Sequence, residues 1–501
     1  MKKIFLLTSV VFMALAGCKK GLEPQLYGAL QTTNYPKTEA DFTNYVLEAY
    51  KPFQSKWGYT DADGSYQSDW FSPEYGDIQM FDYGTDIINT YTLWGGFYTQ
   101  FSEANYAFLA SYGVAQDQFT KVRTVTRITQ IIADIANSSI SATAKAELTA
   151  EAKMARGWNM YFLLQCYGPV PVILDPTLIG TSAESNMTRP ERAAFVADIV
   201  SDLTFAAANL PVTPAEYGRF NQGLALTVLM RTYMNEKDFT DAEKVGRQII
   251  ALPYTLVTNY ASLFQEATEQ NSETIWAISC MDNQDGSENH GSFNPWDFYT
   301  YPADYPGDKV TASYAPGIVA PYSVTWAFYN SFDPADKRRI PLIASYTNKS
   351  GGITNQASGL PGAVIAKYPD QGGNVGSYQG NDIPKARLGE VLLYLAEAIN
   401  QNTGPTAEAI GFVNQVRAAH GGLGPVPTAQ TTDKNTFDLW LLKEESWETY
   451  FEGERRMDLV RHGQYTQALA TVNKTTGPYL FPVPTFELVA GNKTLTQTPG
   501  Y

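Results

Sequence analysis

Two stretches of helical hydrophobic periodicity, separated by a long segment that lacks it, most constrain the fold of this chain. Apolar residues recur at helical spacing in 148–168, 221–235, 240–252, 384–401, 405–419 and 434–452. From about 253 to 380, Gly, Pro, Asn, Asp and Tyr accumulate, and a clear strand pattern is confined to 274–278. The pattern predicts a mainly α-helical protein. Its scaffold spans about 38–252 and 381–501 of a single domain, and a loop-rich insertion spans about 253–380.

Several of the predicted helices come in neighbouring pairs. The segments 221–235 and 240–252 form one pair, and 384–401 and 405–419 form another. Pairs that recur with about 34 residues each are typical of tetratricopeptide-like packing. We therefore expect helix pairs stacked side by side, with the irregular segment as a functional insertion.

The start of the chain has the pattern of an export signal. Two lysines precede the apolar stretch 4–16, whose 13 residues are too few to span a bilayer of about 30 Å as a helix. The sequence Leu15-Ala16-Gly17-Cys18 is spaced as a bacterial lipobox. We predict that 1–17 is a cleaved signal peptide, that Cys18 is the lipidated N-terminus, and that 18–37 is a tether.

Charge and cysteine content exclude several classes of protein. The chain has 501 residues and a formal charge of −15, from 36 basic and 51 acidic side chains. Such a chain is repelled by nucleic acid and by anionic headgroups. Three cysteines are too few for a disulfide framework.

Motifs of catalysis and of cofactor binding are missing from the sequence. It has no Walker A loop, no G-x-G-x-x-G after a strand, no H-E-x-x-H and no G-x-S-x-G. The histidines His290, His420 and His462 lack metal-ligand spacing, so we expect them at the surface or at helix caps. Cys166 and Cys280 are expected to be small buried apolar residues. The sequence predicts no enzyme activity, no metal and no cofactor.

A dense set of charges lies near the C-terminus. Three carboxylates at i, i+4 and i+8 are followed by three guanidinium groups: Glu444, Glu448 and Glu452, then Arg455, Arg456 and Arg461. Carboxylates beside guanidinium groups keep lowered pKa values and stay charged. The set predicts a structural lattice of ion pairs and not a general acid.

Aromatic residues are concentrated in two windows. Residues 57–98 contain 12 of them, and residues 293–332 contain another 12. Because Asp, Asn, Gly and Pro accompany these rings, the windows suit sugar binding, in which rings stack on the sugar and polar groups bond its hydroxyls. The alternative is that the rings pack the junction between helices and loops. The candidate ligand-binding residues are Trp70, Tyr75, Trp94, Trp296, Tyr299 and Trp326.

Several motifs resemble those of the SusD/RagB family, nutrient-binding outer-membrane lipoproteins that work with TonB-dependent transporters. The resemblance extends along nearly the whole chain. Its motifs are the lipobox at Cys18, Gly84-Thr85-Asp86, Glu151…Arg156…Tyr161, Tyr167-Gly168-Pro169-Val170-Pro171, the segment 387–398, Phe451-Glu452-Gly453 with Arg455, Asp458 and Arg461, and Phe481-Pro482-Val483-Pro484 through Pro499-Gly500-Tyr501.

The chain also departs from the family pattern at three places. Glu444-Glu445 stands where the family usually has Glu-Arg, so one expected ion pair is missing or rerouted. Pro169 replaces the usual Asp of its turn. The residues after Cys18 are Lys19-Lys20-Gly21 and not the acidic run that often accompanies display on the cell surface.

The resemblance implies both a fold and a role. The family fold has four tetratricopeptide-like helix pairs with a variable, loop-rich portion. The family captures glycans, or peptides in some members, at the outer membrane of Gram-negative bacteria, facing the cell exterior. Each member acts as a lid on a SusC-like transporter, without covalent chemistry. Two alternatives stay open: a peptide-binding lid, and a lipid-anchored glycoside hydrolase that uses carboxylates in 282–308.

Overall fold

The structure is a computed structural model, in which part of the chain is described. The described residues are 35–56, 58–60, 66–89, 96–111, 118–185, 188–281, 291–306, 322–369, 379–491 and 494–501. The predicted signal peptide, Cys18 and most of the predicted tether lie outside them, as does Trp94.

Helices dominate the described residues. The α-helices are α1 (Glu39–Val46), α2 (Gly96–Ser102), α3 (Lys121–Asn137), α4 (Ala142–Tyr167), α5 (Arg192–Asn209), α6 (Gln222–Asn235), α7 (Phe239–Ile249), α8 (Trp296–Thr300), α9 (Trp326–Ser331), α10 (Leu388–Thr403), α11 (Ala407–Val416), α12 (Lys434–Thr449), α13 (Arg455–Arg461), α14 (Tyr465–Thr471) and α15 (Thr485–Ala490). None of the described helices is long and apolar enough to cross a membrane. The mainly α-helical fold predicted from periodicity is confirmed.

The helices stack in chain order into one continuous scaffold. Each of α3 to α6 packs on the next helix along the chain. Helix α7 then packs on α10, which contacts both α11 and α12. Because α7 packs directly on α10, the loop-rich segment between these two helices does not interrupt the helical stack.

Local sequence explains the bounds and the packing of α4. Ser141 caps its start, with the side-chain hydroxyl accepting from the Ala144 amide at 3.2 Å. Gly168 ends it with φ of 74° and ψ of −165°, a backbone conformation that only glycine adopts readily. Midway, a Cβ at Gly157 would lie 3.0 Å from the Leu203 side chain, so glycine lets α4 and α5 approach closely.

Short strands lie mainly in the insertion. The strands are β1 (Tyr59–Thr60), β2 (Tyr66–Gln67), β3 (Thr274–Ile278), β4 (Ser323–Val324), β5 (Leu342–Ile343), β6 (Ser345–Thr347), β7 (Ile353–Asn355), β8 (Ala363–Ile365) and β9 (Ile383–Arg387). They form antiparallel sheets in the orders β1-β2, β3-β9, β4-β8-β5 and β6-β7. The strand predicted at 274–278 is therefore confirmed, but the prediction missed the shorter strands around it.

Strand β9 corrects one predicted helix boundary. The helix predicted from residue 384 begins at Leu388, because Ile383–Arg387 pairs with β3. All five residues of β9 are buried. The strand thus carries two charged side chains, Lys385 and Arg387, into the interior.

Aromatic rings fill the core between the scaffold and the insertion. Trp158 of α4 stacks on Phe53 at a ring-centroid distance of 4.8 Å and meets Trp276 edge to face at 5.5 Å. Because Trp276 belongs to β3, this contact joins the insertion to the helices.

Candidate ligand-binding site

An open cavity of about 510 Å³ lies in the loop-rich part of the chain. Its walls come from the loop after α8, the β6-β7 hairpin and the turn that precedes β8. The lining residues used below are Asp304, Ser323, Tyr346, Asn348, Thr354 and Leu360. Its size suits a small ligand or one or two units of a larger one.

The hairpin wall is held rigidly by its turn. The Asn348 side-chain oxygen accepts from the amides of Ser350 and Gly352, at 3.1 and 2.9 Å. Its Nδ2 donates to the Thr354 hydroxyl across the hairpin, at 3.2 Å. Gly351 has φ of 84°, which the tight turn requires. These bonds fix polar groups at the rim before any ligand arrives.

Asp304 provides the carboxylate of the cavity. Its Oδ1 accepts from the Tyr346 hydroxyl at 2.7 Å, and its Oδ2 lies 3.4 Å from the Thr354 hydroxyl. Burial and this hydrogen bond raise the pKa of Tyr346, so the phenol stays protonated. Among the described lining residues, Asp304 alone carries an acidic side chain.

Aromatic rings lie behind and beside these polar groups. The rings of Tyr301 and Tyr305 are 4.8 Å apart, and those of Tyr305 and Tyr346 are 4.9 Å apart. Trp326 packs against the same cluster, and its Nε1 donates to the Leu360 carbonyl at 3.1 Å. Tyr305 and Trp326 are half-buried, so part of each ring is open to solvent.

Residues 83–89, within the first aromatic window, are fixed beside this region. Lys474 Nζ donates to the carbonyls of Tyr83, Thr85 and Ile88, at 3.1, 2.7 and 2.6 Å. Asn89 Nδ2 donates to the Ser323 hydroxyl at 3.0 Å. This part of the window is thereby joined to β4, next to the cavity.

Three of the predicted ligand-binding rings are buried in the core. Trp70 is 0% exposed, stacks on Phe162 at 4.6 Å and donates from Nε1 to Asn159. Trp296 is 2% exposed and lies against Phe451, while Tyr299 is 3% exposed. A ring without an exposed face cannot stack on a sugar, so in this conformation these three rings stabilise the core.

The other three predicted residues have different surroundings. Trp326 lies beside the cavity, where it contacts the lining residue Leu360 but does not itself line the cavity. Tyr75 is half-buried and packs against the main core. Trp94 lies outside the described residues.

The hairpin residues Tyr346, Asn348 and Thr354 were missed by the sequence analysis, because the aromatic windows end before them. A signal was present in the sequence. Ser345-Tyr346-Thr347 and Ile353-Thr354-Asn355 alternate around a turn rich in Asn, Ser and Gly, which is the pattern of a hairpin.

Glu444, Glu448 and Glu452 do form a buried lattice of ion pairs, but not with the predicted arginines, since Arg455 pairs with Asp86 and Arg461 with Glu397. Arg387 contacts Glu448 and Glu452 at 2.8 and 2.7 Å. Burial opposes ionisation of Glu448, but His420 and Arg387 outweigh it and hold the pKa of its carboxyl well below its usual range. Lys367 contacts Glu452 at 2.6 Å from the other side. The lattice ties β9 to the end of α12.

The two described histidines are buried and not exposed. His420 and His462 both have fully buried side chains, each beside two glutamates. A surface position is therefore wrong for both, because each imidazole is paired with carboxylates from other segments. His462 does lie at a helix cap, the predicted alternative, since it is the C-cap residue of α13. His290 lies outside the described residues. Cys166 and Cys280 are buried, as predicted.

His420 makes stability depend on pH. Its ring nitrogens lie 2.8 and 2.9 Å from Glu448 and Glu273. Burial lowers its pKa, but the two carboxylates outweigh this and raise the pKa from 6.5 to about 9. Because the folded-state pKa is the higher one, the stabilisation is complete below about pH 6.5 and is lost as pH rises through about 9.

We therefore expect the gap in melting temperature between wild type and His420→Gln to narrow with rising pH. It should be wide near pH 6 and small near pH 10, since the imidazole is then neutral in wild type as well. Thermal unfolding followed by circular dichroism at both pH values measures it. A gap that stays constant would contradict the assignment of a charged His420.

The sequence matches the models of two protein families. A model described as "SusD family" matches residues 346–501, and a model described as "Starch-binding associating with outer membrane" matches residues 34–234. One match covers the end of the insertion and the second helical block, and the other covers most of the first helical block.

Individual relatives match over long stretches. SusD-like protein P2 of Formosa agariphila is 24% identical and aligns over 100% of both chains. Starch-binding protein SusD of Bacteroides thetaiotaomicron is 25% identical over 57% of this chain and 61% of its own.

Solved structures share the fold. A SusD homolog from Bacteroides thetaiotaomicron superposes with a TM-score of 0.77 at 20% identity, over 93% of this chain and 98% of that chain. Surface glycan-binding protein A from the same organism, solved with laminarihexaose, has a TM-score of 0.74 at 18% identity, over 93% and 100% of the chains.

The stacked helices and the loop-built cavity define a class of helical-repeat proteins with a variable insertion. Within that class, the chain belongs to the SusD/RagB family. The resemblance seen in the sequence motifs is thereby confirmed.

Proposed function

We propose that this chain binds glycans and uses the cavity beside the β6-β7 hairpin to do so. The proposal rests on one observation: partly exposed aromatic rings lie beside polar side chains that hydrogen bonds within the protein already hold in place. Trp326 and Tyr305 offer apolar faces to the C–H face of a sugar. Asp304, Asn348 and Thr354 offer acceptors and donors to its hydroxyls. The printed names of relatives, starch-binding and laminarihexaose-bound, support the ligand class.

The cavity is suited to binding and not to hydrolysis. Glycoside hydrolysis generally uses two carboxyl groups about 5–10 Å apart across the scissile bond. In the described lining Asp304 is the single carboxylate, and Tyr346 and Thr354 already hold it. Of the carboxylates in 282–308 considered from sequence, Asp297 is buried, and Asp282, Asp285, Glu288 and Asp308 lie outside the described residues.

We further propose the cellular role that the family implies. The chain is anchored in the outer membrane by acyl groups on Cys18 and faces the cell exterior. It acts as a lid that delivers the glycan to a SusC-like TonB-dependent transporter. The family description of outer-membrane association supports the location. Co-purification of the chain with such a transporter from detergent-solubilised outer membranes tests the anchor and the partner together.

Glycan binding is tested by removing rings at the cavity. We expect Tyr346→Ala and Trp326→Ala each to weaken retention by the bound polysaccharide at least about tenfold, since about 1.4 kcal/mol of lost contact corresponds to tenfold. Affinity electrophoresis in gels containing starch, laminarin or other glycans measures retention and identifies the ligand.

Tyr217→Ala is the matched control, since Tyr217 is 49% exposed in the loop between α5 and α6. It should bind like wild type. Equal retention of all three variants would reject this cavity as the site. Binding to peptides but to no glycan on a mixed array would favour the peptide-binding alternative.

A further inference from the structure

A second buried cluster of charges surrounds His462, apart from the cavity. It lies where α10, α12 and the end of α13 meet. Its members are Glu397 of α10, Asp438 and Glu445 of α12, Asp458 and Arg461 of α13, and His462 itself.

The two nitrogens of the His462 ring have different surroundings. The side chain is 0% exposed, and Nδ1 lies 3.0 Å from the Asp438 carboxylate. Nε2 points between two glutamates, 3.3 Å from Glu397 Oε1 and 3.2 Å from Glu445 Oε2. Within the described residues this Nε2 makes no hydrogen bond, and neither does the buried Oε1 of Glu445.

The charges of the cluster do not balance. Four carboxylates face one guanidinium group, Arg461, and one imidazole. Nearby Arg455 does not correct this, because it forms its own pair with Asp86 at 2.8 Å. Even a charged imidazole leaves the carboxylates in excess, and excess buried charge is unfavourable unless a cation compensates it.

We propose that Glu397, Glu445 and His462 form a divalent-cation site best suited to Zn²⁺. Their ligand atoms all lie within 4.8 Å of one another. The two N···O distances above are close to the roughly 3.3 Å that separates ligands about 2.0 Å from a tetrahedral zinc ion. Imidazole combined with carboxylates favours zinc over calcium or magnesium, which take oxygen ligands.

Neighbouring side chains hold the proposed zinc ligands in position, as the residues around known metal ligands do. Asp438 at Nδ1 orients the ring so that Nε2 faces the glutamates, the arrangement found behind zinc-bound histidines. Arg461 donates from Nε to Glu397 Oε1 at 2.9 Å and fixes that carboxylate. The sequence spacing of the histidines gives no hint of this site, because its ligands come from three helical segments.

The cluster around His420 shows that composition alone is not enough. It also has one histidine and two glutamates, Glu273 and Glu448. Both of its ring nitrogens, however, already pair with carboxylate oxygens at 2.8 and 2.9 Å. No nitrogen is left over for a metal, so the proposal is limited to His462.

A proton is the competing occupant of the His462 cluster. Burial and the neighbouring Glu397 raise the pKa of Glu445, which favours a proton on this carboxylate. Zinc would replace that proton.

Metal content after refolding tests the proposal, since a closed site loads during folding. We expect wild type, refolded with Zn²⁺ and dialysed against metal-free buffer, to retain about one Zn²⁺ per chain by mass spectrometry. Refolding with Co²⁺ should give the visible absorption of a tetrahedral site. Glu445→Gln and His462→Gln should each lose at least about nine-tenths of the metal.

Two controls separate loss of metal from loss of fold. His420→Gln, in the matched cluster, should keep the zinc. Glu445→Arg supplies the cation covalently, so it should fold without zinc, and its melting temperature should not respond to the ion, whereas that of wild type rises by several degrees. The proposal would be overturned if the wild type retained no zinc after refolding, or if His462→Gln retained zinc fully. A proton on Glu445 would then be the occupant of the cluster.

Discussion

Replacing Arg387 with alanine will lower the free energy of unfolding by about 3–5 kcal/mol, the usual effect of removing one partner from a buried ion pair. Arg387 is almost fully buried, and its guanidinium donates to Glu448 at 2.8 Å and to Glu452 at 2.9 and 2.7 Å. Without it, these two carboxylates and Glu273 remain inside the protein with less compensation. Urea denaturation followed by tryptophan fluorescence measures the change.

The control for this experiment is Arg247→Ala. Arg247 also pairs with two carboxylates, Glu243 and Glu408, but all three side chains are partly exposed at the surface. Exposed pairs contribute about 0–1 kcal/mol because water and salt screen them. Similar losses for Arg387→Ala and Arg247→Ala would show that burial does not set the strength of the lattice.

Replacing Trp70 with alanine is expected to cost about 3–5 kcal/mol of stability, as large-to-small changes of buried aromatic residues do. The ring is enclosed by Phe162 on one side, and the Lys121 ammonium lies 5.0 Å from its centroid. Removing it opens a cavity and leaves Asn159 Oδ1 without its donor, at 2.5 Å in the wild type. Denaturant unfolding measures the loss, and glycan retention should be tested under conditions where the variant stays folded.

Trp326→Ala is the matched comparison, since it removes the same side chain from a half-buried position beside the cavity. We expect a smaller loss of stability than for Trp70→Ala and a larger loss of binding. The opposite order would mean that Trp70 faces the ligand and Trp326 belongs to the core. This pair therefore distinguishes the two roles that the aromatic windows left open.

The sequence contained enough information for the scaffold. Helical periodicity, the stop at Gly168-Pro169 and the strand pattern of 274–278 depend on neighbours a few residues apart, and the structure places these elements within a few residues of the predictions. The start of α10 was missed because it depends on pairing between β9 and β3, which lie far apart in the chain.

The carboxylates near the C-terminus were correctly predicted to be ion-paired, but their partners were not predicted. Glu448 of α12, for example, pairs with Arg387 of β9 and not with the nearby arginines. The partners of His420 were not predictable from local sequence either, since Glu273 lies 147 residues away from it. A position at the surface or at a helix cap was expected for His420, and the fold places it between two carboxylates.

The sequence by itself determined the helical fold class, the family, and which segments are rich in aromatic and polar residues. Only the tertiary structure decided which rings are buried, as Trp70 is, and which are half-open at a cavity, as Trp326 is. The reason is that hydrophobic burial is not directional: an aromatic ring gains about as much against Phe162 in the core as against a ligand. Which surface it meets depends on long-range packing, and local sequence does not encode that.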